Sequence, residues 1–200
     1  RVVLAARRGD RLEVLRQALP GSHVVTADVT SDAGRRQIVD ETLQTFGRVD
    51  VLVNNAGQGL HVPLEQVELD AFRDVLELNL LAPIALMQLV LPRMREAGGG
   101  AIVNISSGTT RRVIPGVGAY ASTKAALNLL SHTARREWEP FGIAVSLVIP
   151  GLVATDFHRV LRQGSWDEAR APAGAPASAV ANAVMRSIES GDDEVFPSPD

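Results

Sequence analysis

The chain contains no cysteine among its 200 residues. Disulfide bonds and thiolate catalysis are therefore excluded for this sequence. The sequence also shows no secretory segment, and we expect a cytoplasmic protein.

Positive charge is scarce, and long apolar runs are missing. The formal net charge is -3, and no basic patch is dense enough to attract nucleic acid. The most apolar stretch, Leu78 to Leu91, is interrupted by Asn79, Pro83 and Gln88. It falls short of the roughly 20 apolar residues that span a membrane. We therefore expect neither nucleic acid nor a membrane as a partner.

The residues that are present indicate a single globular domain, because hydrophobic residues make up 46% of the chain and charged residues 22%. Short β-branched runs alternate with longer segments of helical periodicity. This pattern predicts an α/β fold with a Rossmann-like, doubly wound parallel sheet in three α/β/α layers. The predicted strands are Val2 to Ala6, His23 to Ala27, Val49 to Asn54, Ala101 to Ser106, Ile143 to Ile149 and Glu194 to Phe196. The predicted helices are Asp10 to Leu19, Ser31 to Phe46, Leu69 to Glu96, Ala119 to Glu137 and Ser178 to Glu189.

Two features interrupt this regular alternation. Pro83 lies inside the predicted helix Leu69 to Glu96 and should kink or interrupt it, because proline removes a backbone donor and crowds the preceding turn. Residues 156–177 are rich in glycine, proline, alanine and charge, with little periodicity. We interpret them as a mobile substrate loop rather than a linker between domains.

Tyrosine and lysine each occur once, and they lie four residues apart at Tyr120 and Lys124. In a helix this spacing puts both side chains on one face. A free phenol has a pKa of about 10, which a nearby cation lowers by stabilising the phenolate, so that tyrosine becomes a usable acid or base. Taken alone, the pair is explained equally well as an ordinary surface pair in a chain that avoids lysine.

The surrounding motifs decide between these interpretations. They follow the predicted strands and helices in a regular order: Asp28-Val29, Asn54-Asn55-Ala56-Gly57, Asn79, Ser107, Tyr120-Ala121-Ser122-Thr123-Lys124, and Pro150-Gly151 with Val153 and Thr155. In order and spacing they resemble the motifs of the short-chain dehydrogenase/reductase family. The resemblance runs from Arg1 to about Phe196 and implies a single domain over residues 1–200.

The resemblance implies an enzyme with four catalytic residues. Tyr120 would act as general acid or base, and Ser107, thirteen residues before it, would hydrogen-bond the substrate carbonyl. Lys124 would hold the ribose and tune Tyr120, and Asn79 would distort its helix so that its backbone carbonyl holds a proton-relaying water. Ser106 is the structural alternative to Ser107, and the family's spacing to the tyrosine favours Ser107.

The resemblance also assigns the cofactor contacts, which lie beyond the carboxyl ends of the strands, where parallel sheets bind ligands. No metal site is implied. The contacts are Asp28 and Val29 for adenine; Asn55, Ala56 and Gly57 for adenosine; Pro150, Gly151, Val153 and Thr155 for nicotinamide; and Tyr120 with Lys124. Two alternatives stay open: Asn-Asn-Ala-Gly can be a plain turn, and Asp28 a helix-cap or turn residue.

Cofactor choice depends on the end of the first visible strand. NAD-preferring members have an acidic residue there that bonds the ribose 2′-hydroxyl. This chain has Ala6 at that position, followed by Arg7 and Arg8. Because guanidinium suits bidentate phosphate contact, Arg7 predicts a preference for NADP(H), with NAD(H) as the alternative cofactor. Two solvated arginines at the start of a helix are the other interpretation.

The family's first strand and its Gly-rich turn have no counterpart in this sequence. In the sheet that the resemblance implies, that strand would be central, so its absence would leave two unpaired edges. We expect that the sequence is incomplete.

The resulting functional prediction is an oxidoreductase that moves hydride between NADP(H) and a carbonyl or secondary alcohol. The family's helical interfaces imply a homodimer or homotetramer. One alternative is a cofactor-sensing protein without turnover, which has no need for the four catalytic residues together. The others are a nucleotide-sugar epimerase or dehydratase, which usually carries a larger substrate domain, and a purely structural partner protein.

Overall fold

The computed structural model describes residues 1–167 and 173–198, and parallel strands alternate with helices along them. The strands are β1 (Val3–Ala6), β2 (His23–Thr26), β3 (Val51–Asn54), β4 (Leu60–His61), β5 (Gly100–Ile105), β6 (Ile143–Val148), β7 (Gln163–Gly164) and β8 (Glu194–Val195). The α-helices are α1 (Gly9–Ala18), α2 (Asp32–Phe46), α3 (Leu69–Leu76), α4 (Ala82–Glu96), α5 (Gly118–Trp138) and α6 (Ala177–Ser190). All six predicted strands are confirmed to within two residues at each end. The two-residue strands β4 and β7 were not predicted.

Local signals set the helix ends. Ser31 begins α2, where its hydroxyl oxygen accepts a hydrogen bond from the Gly34 N–H at 3.0 Å. Gly47 ends α2 with a φ of 76°, and Gly191 ends α6 with a φ of 68°. Both conformations are left-handed, and glycine adopts them without the steric cost of a Cβ.

The main sheet has helices on both faces, which confirms the three-layer α/β/α prediction. Its strands are parallel, in the order β3-β5-β6-β8. Successive residues of β5 face opposite sides, as in any strand. Ile102 packs with residues of α2, α4 and α5, whereas Val103 packs with Ala183 of α6. The sheet is thereby buried on both sides.

Strands β1 and β2 form a separate parallel pair, outside the main sheet. Among the described residues β1 pairs only with β2, and β3 pairs only with β5. On the open edge of the main sheet, Val51 and Val53 are 39% and 40% exposed. Within the described residues, β1 and β3 thus each have one unpaired edge. That a strand outside this sequence lies between them stays a prediction.

The predicted helix Leu69 to Glu96 is interrupted around Asn79, the residue that the family resemblance expects to distort it. A π-helical turn, Glu77–Leu81, separates α3 from α4, and Asn79 lies at its centre. Pro83 follows as the second residue of α4, which continues directly from this turn. Because proline has no N–H, a carbonyl of the preceding turn lacks its helical donor there, so Pro83 contributes to the interruption as expected. Turns of this type often mark functional sites.

Residues Leu69–Glu96 are also long and apolar enough to cross a membrane, with a mean hydropathy of 1.7 in their most apolar 18-residue window. A core helix of a globular protein passes the same test. Met87, Val90 and Met94 of α4 are buried in the core against β5 and β6. The finding is weak evidence for a membrane span, and the absence of a membrane partner stays a prediction.

Buried polar side chains tie the carboxyl ends of the central strands to α5. The Asn54 side-chain amide donates to Asn104 Oδ1 at 2.8 Å, and the Asn104 amide donates to Ser131 Oγ at 2.8 Å. Buried polar groups are costly unless they are paired, so this chain of hydrogen bonds specifies how β3, β5 and α5 pack together. The loops that carry the predicted site residues begin at this end of the sheet.

Candidate active site

Tyr120 and Lys124 lie in the first two turns of α5, and both are buried, with 6% and 5% of their surfaces exposed. Lys124 Nζ donates a hydrogen bond to the carbonyl oxygen of Ile105, at the end of β5, at 2.8 Å. Burial lowers the pKa of Lys124 from 10.5 to about 8, because removal from water disfavours the charged ammonium.

The electrostatics of Tyr120 differ from our expectation. Burial raises the pKa of its phenol, and a hydrogen bond with Ser107 acts in the opposite direction. The predicted lowering of this pKa by Lys124 is wrong for this structure. Helical spacing puts the two residues on one face, but it does not determine where a long side chain ends. The Lys124 ammonium is directed to the Ile105 carbonyl.

The two candidate serines have different hydrogen-bond partners in the structure. Ser106 Oγ donates to Asn128 Oδ1, and its N–H donates to Val148 O at 2.8 Å. Ser107 begins a 3₁₀ turn, where its Oγ accepts hydrogen bonds from Thr109 N at 3.2 Å and Thr109 Oγ1 at 2.9 Å. Ser107 is also the serine that hydrogen-bonds Tyr120. Its position therefore supports the choice of Ser107 over Ser106.

Asn79 is completely buried and connects two of the predicted motifs. Its Oδ1 accepts from the Gln58 N–H at 2.9 Å, and its Nδ2 donates to the Gln58 carbonyl at 3.0 Å. The same Nδ2 donates to Thr123 Oγ1 at 3.2 Å. The side chain therefore holds the turn after Gly57 against the helical turn that carries Lys124.

Gly57 lies where these groups meet. A Cβ atom placed on Gly57 would lie 3.3 Å from Asn79 Oδ1 and 3.6 Å from Lys124 Nζ. Residues distant in sequence thus come together at the carboxyl end of β3. Asn55 and Ala56, just before Gly57, are exposed beside it. They are accessible to a ligand that lies over this turn.

The predicted adenine contacts lie at the ends of β1 and β2. Asp28 Oδ1 accepts from Thr30 N at 2.9 Å and from Thr30 Oγ1 at 2.8 Å, and these bonds lower its pKa. The exposed Arg7 guanidinium adds to this effect, so the two charges lie near each other. The Val29 carbonyl accepts from Arg35 Nη1 at 2.9 Å. The structure also fits the alternative, in which Asp28 is a turn residue.

The predicted nicotinamide segment runs beside the Ser107 turn. The Pro150 carbonyl accepts from the Gly108 N–H at 2.7 Å, and the following Gly151 is exposed. Thr155 begins a 3₁₀ turn, Asp156–Arg159, and its Oγ1 accepts from Phe157 N at 3.4 Å. Val153 and Thr155 are among the residues that line a cavity of about 460 Å³.

One part of the site was missed from the sequence. Four aromatic rings, hereafter the aromatic cluster, lie next to Tyr120 and consist of His61, Phe157, His158 and Trp166. The ring centroids of His61 and Phe157 lie 6.3 and 5.8 Å from that of Tyr120. No periodic pattern marked these residues, because they come from two short segments that meet only in three dimensions.

The sequence profile described as short chain dehydrogenase matches residues 1–166. The chain belongs to the short-chain dehydrogenase family. It is 33% identical to the L-fucose dehydrogenase of Bos taurus over 162 residues, which are 77% of this chain and 57% of that protein. The chain spans about half the length of the curated relatives it matches.

Solved structures of other short-chain dehydrogenases have the same fold. An enzyme from Sphingobium yanoikuyae in complex with NADPH superposes with a TM-score of 0.86 at 28% identity, covering 98% of this chain and 77% of that one. An NAD⁺-bound xylitol dehydrogenase superposes with a TM-score of 0.72 at 29% identity, covering 76% and 61%. The Rossmann-like fold prediction is thereby confirmed.

In this short-chain dehydrogenase, backbone bonds hold part of the predicted loop 156–177 against the site. Strand β7 pairs with β4, and Arg162 N donates to the Gly59 carbonyl at 2.8 Å. Gly164, with a φ of 89°, lies so close to the His61 carbonyl that a Cβ would be 1.8 Å from its oxygen. Residues 168–172 of the loop lie outside the described residues, and the mobility of the loop stays a prediction.

The described residues of this short-chain dehydrogenase include no cluster of metal-binding side chains. No group of three histidine, aspartate or glutamate side chains there is arranged to hold a metal ion. Within residues 1–167 and 173–198, the groups available for chemistry at the site are a phenol, a hydroxyl, an ammonium and imidazoles.

Proposed function

We propose that this short-chain dehydrogenase is an NADP(H)-dependent oxidoreductase that interconverts a carbonyl and a secondary alcohol, with Tyr120 as general acid or base. The observation that carries the proposal is the meeting of Asn79, Ser107, Tyr120 and Lys124 at the carboxyl ends of the central strands. Relatives that are named as dehydrogenases support the reaction class. Ligands of parallel α/β sheets bind at this edge.

The residues at this edge fit a dinucleotide cofactor. Nothing lies within 4 Å of a Cβ placed on Gly151, so a planar ring can approach the backbone there. The Lys124 ammonium has three N–H donors, and one of them bonds to the Ile105 carbonyl. Two donors therefore remain for ribose hydroxyls. Asp28, Val29, Asn55 and the Pro150–Thr155 segment complete the proposed contacts. When bound, the cofactor supplies or accepts the hydride.

The protein's own contribution is proton transfer and orientation. In carbonyl reduction, the Tyr120 hydroxyl gives its proton to the oxygen of the substrate, and the Ser107 hydroxyl holds that oxygen in place. Burial raises the pKa of Tyr120, which keeps the phenol protonated near neutral pH and ready to donate. Alcohol oxidation reverses the direction of the proton. The Ser107 hydroxyl favours the phenolate in that direction, because its hydrogen bond lowers the pKa of Tyr120.

Arg7 is the proposed determinant of NADP(H) over NAD(H). It is exposed at the end of β1, next to the Asp28 carboxylate at the end of β2. A guanidinium there can bind the 2′-phosphate, which NAD(H) lacks. Solved relatives hold NADPH in one case and NAD⁺ in another, so the family alone does not decide the cofactor.

The test is a fluorescence titration of the full-length protein with NADPH and, in parallel, with NADH. We expect tighter binding of NADPH, and Arg7→Ala should weaken it about 10- to 100-fold, because a charge-assisted contact contributes about 1.5–3 kcal/mol. NADH affinity should stay within about twofold. Arg8→Ala, which removes an equally exposed neighbour, is the matched control. Equal affinities for the two cofactors in the wild type would contradict the assignment.

The alternative of a cofactor-sensing protein without turnover is distinguished by catalysis. A sensor would bind NADPH but reduce no carbonyl compound. If the full-length protein binds neither cofactor, a protein that has lost its catalytic function is favoured. The Gly-rich turn, which has no counterpart in this sequence, would then be the first feature to examine.

We also propose that the protein forms a homodimer or homotetramer through its long helices. Leu129 and Leu130 of α5 are 68% and 39% exposed, and Leu81, the last residue of the π-helical turn before α4, is 50% exposed. An interface along these helices would cover such apolar side chains. Sedimentation equilibrium should give two or four times the monomer mass, and a monomer alone would remove the proposal.

A further inference from the structure

The aromatic cluster joins two segments around the Tyr120 ring. His61 comes from β4, whereas Phe157, His158 and Trp166 come from the segment after β6. The His158 and Trp166 rings are stacked, with centroids 4.3 Å apart and an angle of 22°. His61 lies 5.7 Å from His158 and 5.8 Å from Trp166. The other ring pairs meet at angles of 45° to 85°, so the rings form a connected aromatic wall that begins at the Tyr120 ring.

The two imidazoles in this aromatic wall are uncharged at neutral pH. Burial, helped by the neighbouring His158, lowers the pKa of His61 to about 4, and burial also lowers the pKa of His158. The nearest charged side chains on the same turn are Asp156 and Arg159, which pair with each other and are 65% exposed. The surface beside Tyr120 therefore suits an uncharged ring better than a charged substrate group.

Packing alone does not explain why two of these rings are histidines. The Nδ1 atoms of His61 and His158 are buried and have no hydrogen-bond partner among the described residues. An unpaired buried polar atom is unfavourable for folding, and an apolar ring of similar size would avoid that cost. Histidines in these positions are better explained by a role in binding, where a flat ring with a polar edge contacts a ligand.

The cluster also borders open space of a suitable size. His158 and Trp166 line an open depression of about 460 Å³ together with Val153 and Thr155, which we assign to nicotinamide binding, and with the exposed ion pair Asp156–Arg159. Volumes of roughly 300–1,000 Å³ are typical of small-molecule sites. The cluster contacts the Tyr120 ring through His61 and Phe157 and lines this depression through His158 and Trp166, so it connects the two.

We propose that the aromatic cluster is a subsite for the ring of an uncharged aromatic ketone, or of the corresponding benzylic alcohol, next to the Tyr120 hydroxyl. The inference rests on the proposed oxidoreductase function and adds its substrate class. Offset-stacked and edge-to-face ring contacts favour aromatic over saturated rings of the same size. His61 and His158 thereby act as specificity-determining residues.

The test compares two ketones that differ only in the ring, acetophenone and 1-cyclohexylethanone, with NADPH and the full-length protein. The measured quantity is the ratio of kcat/KM for the aromatic ketone to that for the saturated one. Replacing His61 by leucine should lower this ratio about two- to tenfold, the usual effect of losing one ring contact. His61→Phe keeps a ring and should keep the ratio. His158→Leu is a second variant should the first fail to fold.

The matched control is His23→Leu, since His23 lies at the start of β2 and pairs with Glu41 at 2.9 Å. It should leave the ratio unchanged. If both ketones are reduced and neither His61→Leu nor His158→Leu changes the ratio, the substrate assignment is wrong while the oxidoreductase function stands. If the wild type reduces neither ketone although it binds NADPH, the substrate assignment is wrong; the proposed function fails only if no other carbonyl compound is reduced either.

Discussion

Replacing Tyr120 by phenylalanine should lower carbonyl reduction about 10²- to 10⁴-fold, the usual contribution of general acid–base catalysis. The substitution removes one oxygen and keeps the ring, which packs against Leu60, Val75 and Phe157. Within the described residues, Ser107 is the side chain that lowers the pKa of this phenol by hydrogen bonding, and loss of that contact costs about 1 kcal/mol. The fold and the affinity for NADPH should therefore survive.

Three measurements on the same preparation separate these effects. The thermal midpoint of unfolding should change by a few degrees at most. The dissociation constant for NADPH, from the fluorescence titration, should stay within about twofold, whereas kcat should fall about 10²- to 10⁴-fold. Turnover within about tenfold of the wild type would show that another group supplies the proton. Loss of NADPH binding together with turnover would show that the Tyr120 hydroxyl contributes mainly to cofactor affinity rather than to proton transfer.

Replacing Lys124 by methionine should stabilise the protein while it removes activity. The Lys124 ammonium is buried, and the difference between its ordinary pKa of 10.5 and its folded pKa of about 8 corresponds to about 3 kcal/mol of lost stability at neutral pH. Loss of the hydrogen bond to the Ile105 carbonyl offsets about 1 kcal/mol of the gain. We expect a net gain of about 2 kcal/mol, because methionine fills the site without a charge.

The sign of the pH dependence follows from the lowered pKa. Below pH 8 the lysine is protonated in both states, so its penalty is fully present. Between pH 8 and 10.5 the unfolded chain binds a proton that the folded chain does not, so stability rises with pH. Urea unfolding from pH 8 to about 9.5 should show a rise of up to about 2 kcal/mol in the wild type. This range stays below the ionisation of unfolded tyrosine.

The methionine variant should lack this rise, because it has nothing to titrate at that position. Lys124→Arg is the matched control, since arginine keeps its charge at every pH in this range and should be less stable than methionine throughout. Equal pH slopes in the wild type and the methionine variant would mean that Lys124 is not the titrating group. Full activity of the methionine variant would remove Lys124 from the catalytic set.

Several site residues could be predicted because they lie in local motifs. Ser107, Tyr120 and Lys124 have fixed spacings along one strand, turn and helix, and Asn79 is a polar residue within an apolar helix. The aromatic cluster could not be predicted in this way. His61 and Trp166 are about a hundred residues apart, and the strands that bring their segments together, β4 and β7, have two residues each. Periodicity needs longer segments to be recognisable.

The amino-acid sequence by itself determined the alternation of strands and helices, the layer architecture and the order of the motifs. These depend on local properties: hydrophobic periodicity, capping residues such as Ser31, and glycines at helix ends. Only the tertiary structure decided that Lys124 points to the Ile105 carbonyl and that four rings gather at Tyr120. Each of these features depends on which residues distant in sequence become neighbours. Long-range packing sets the direction and the burial of their side chains, and burial in turn sets the pKa values.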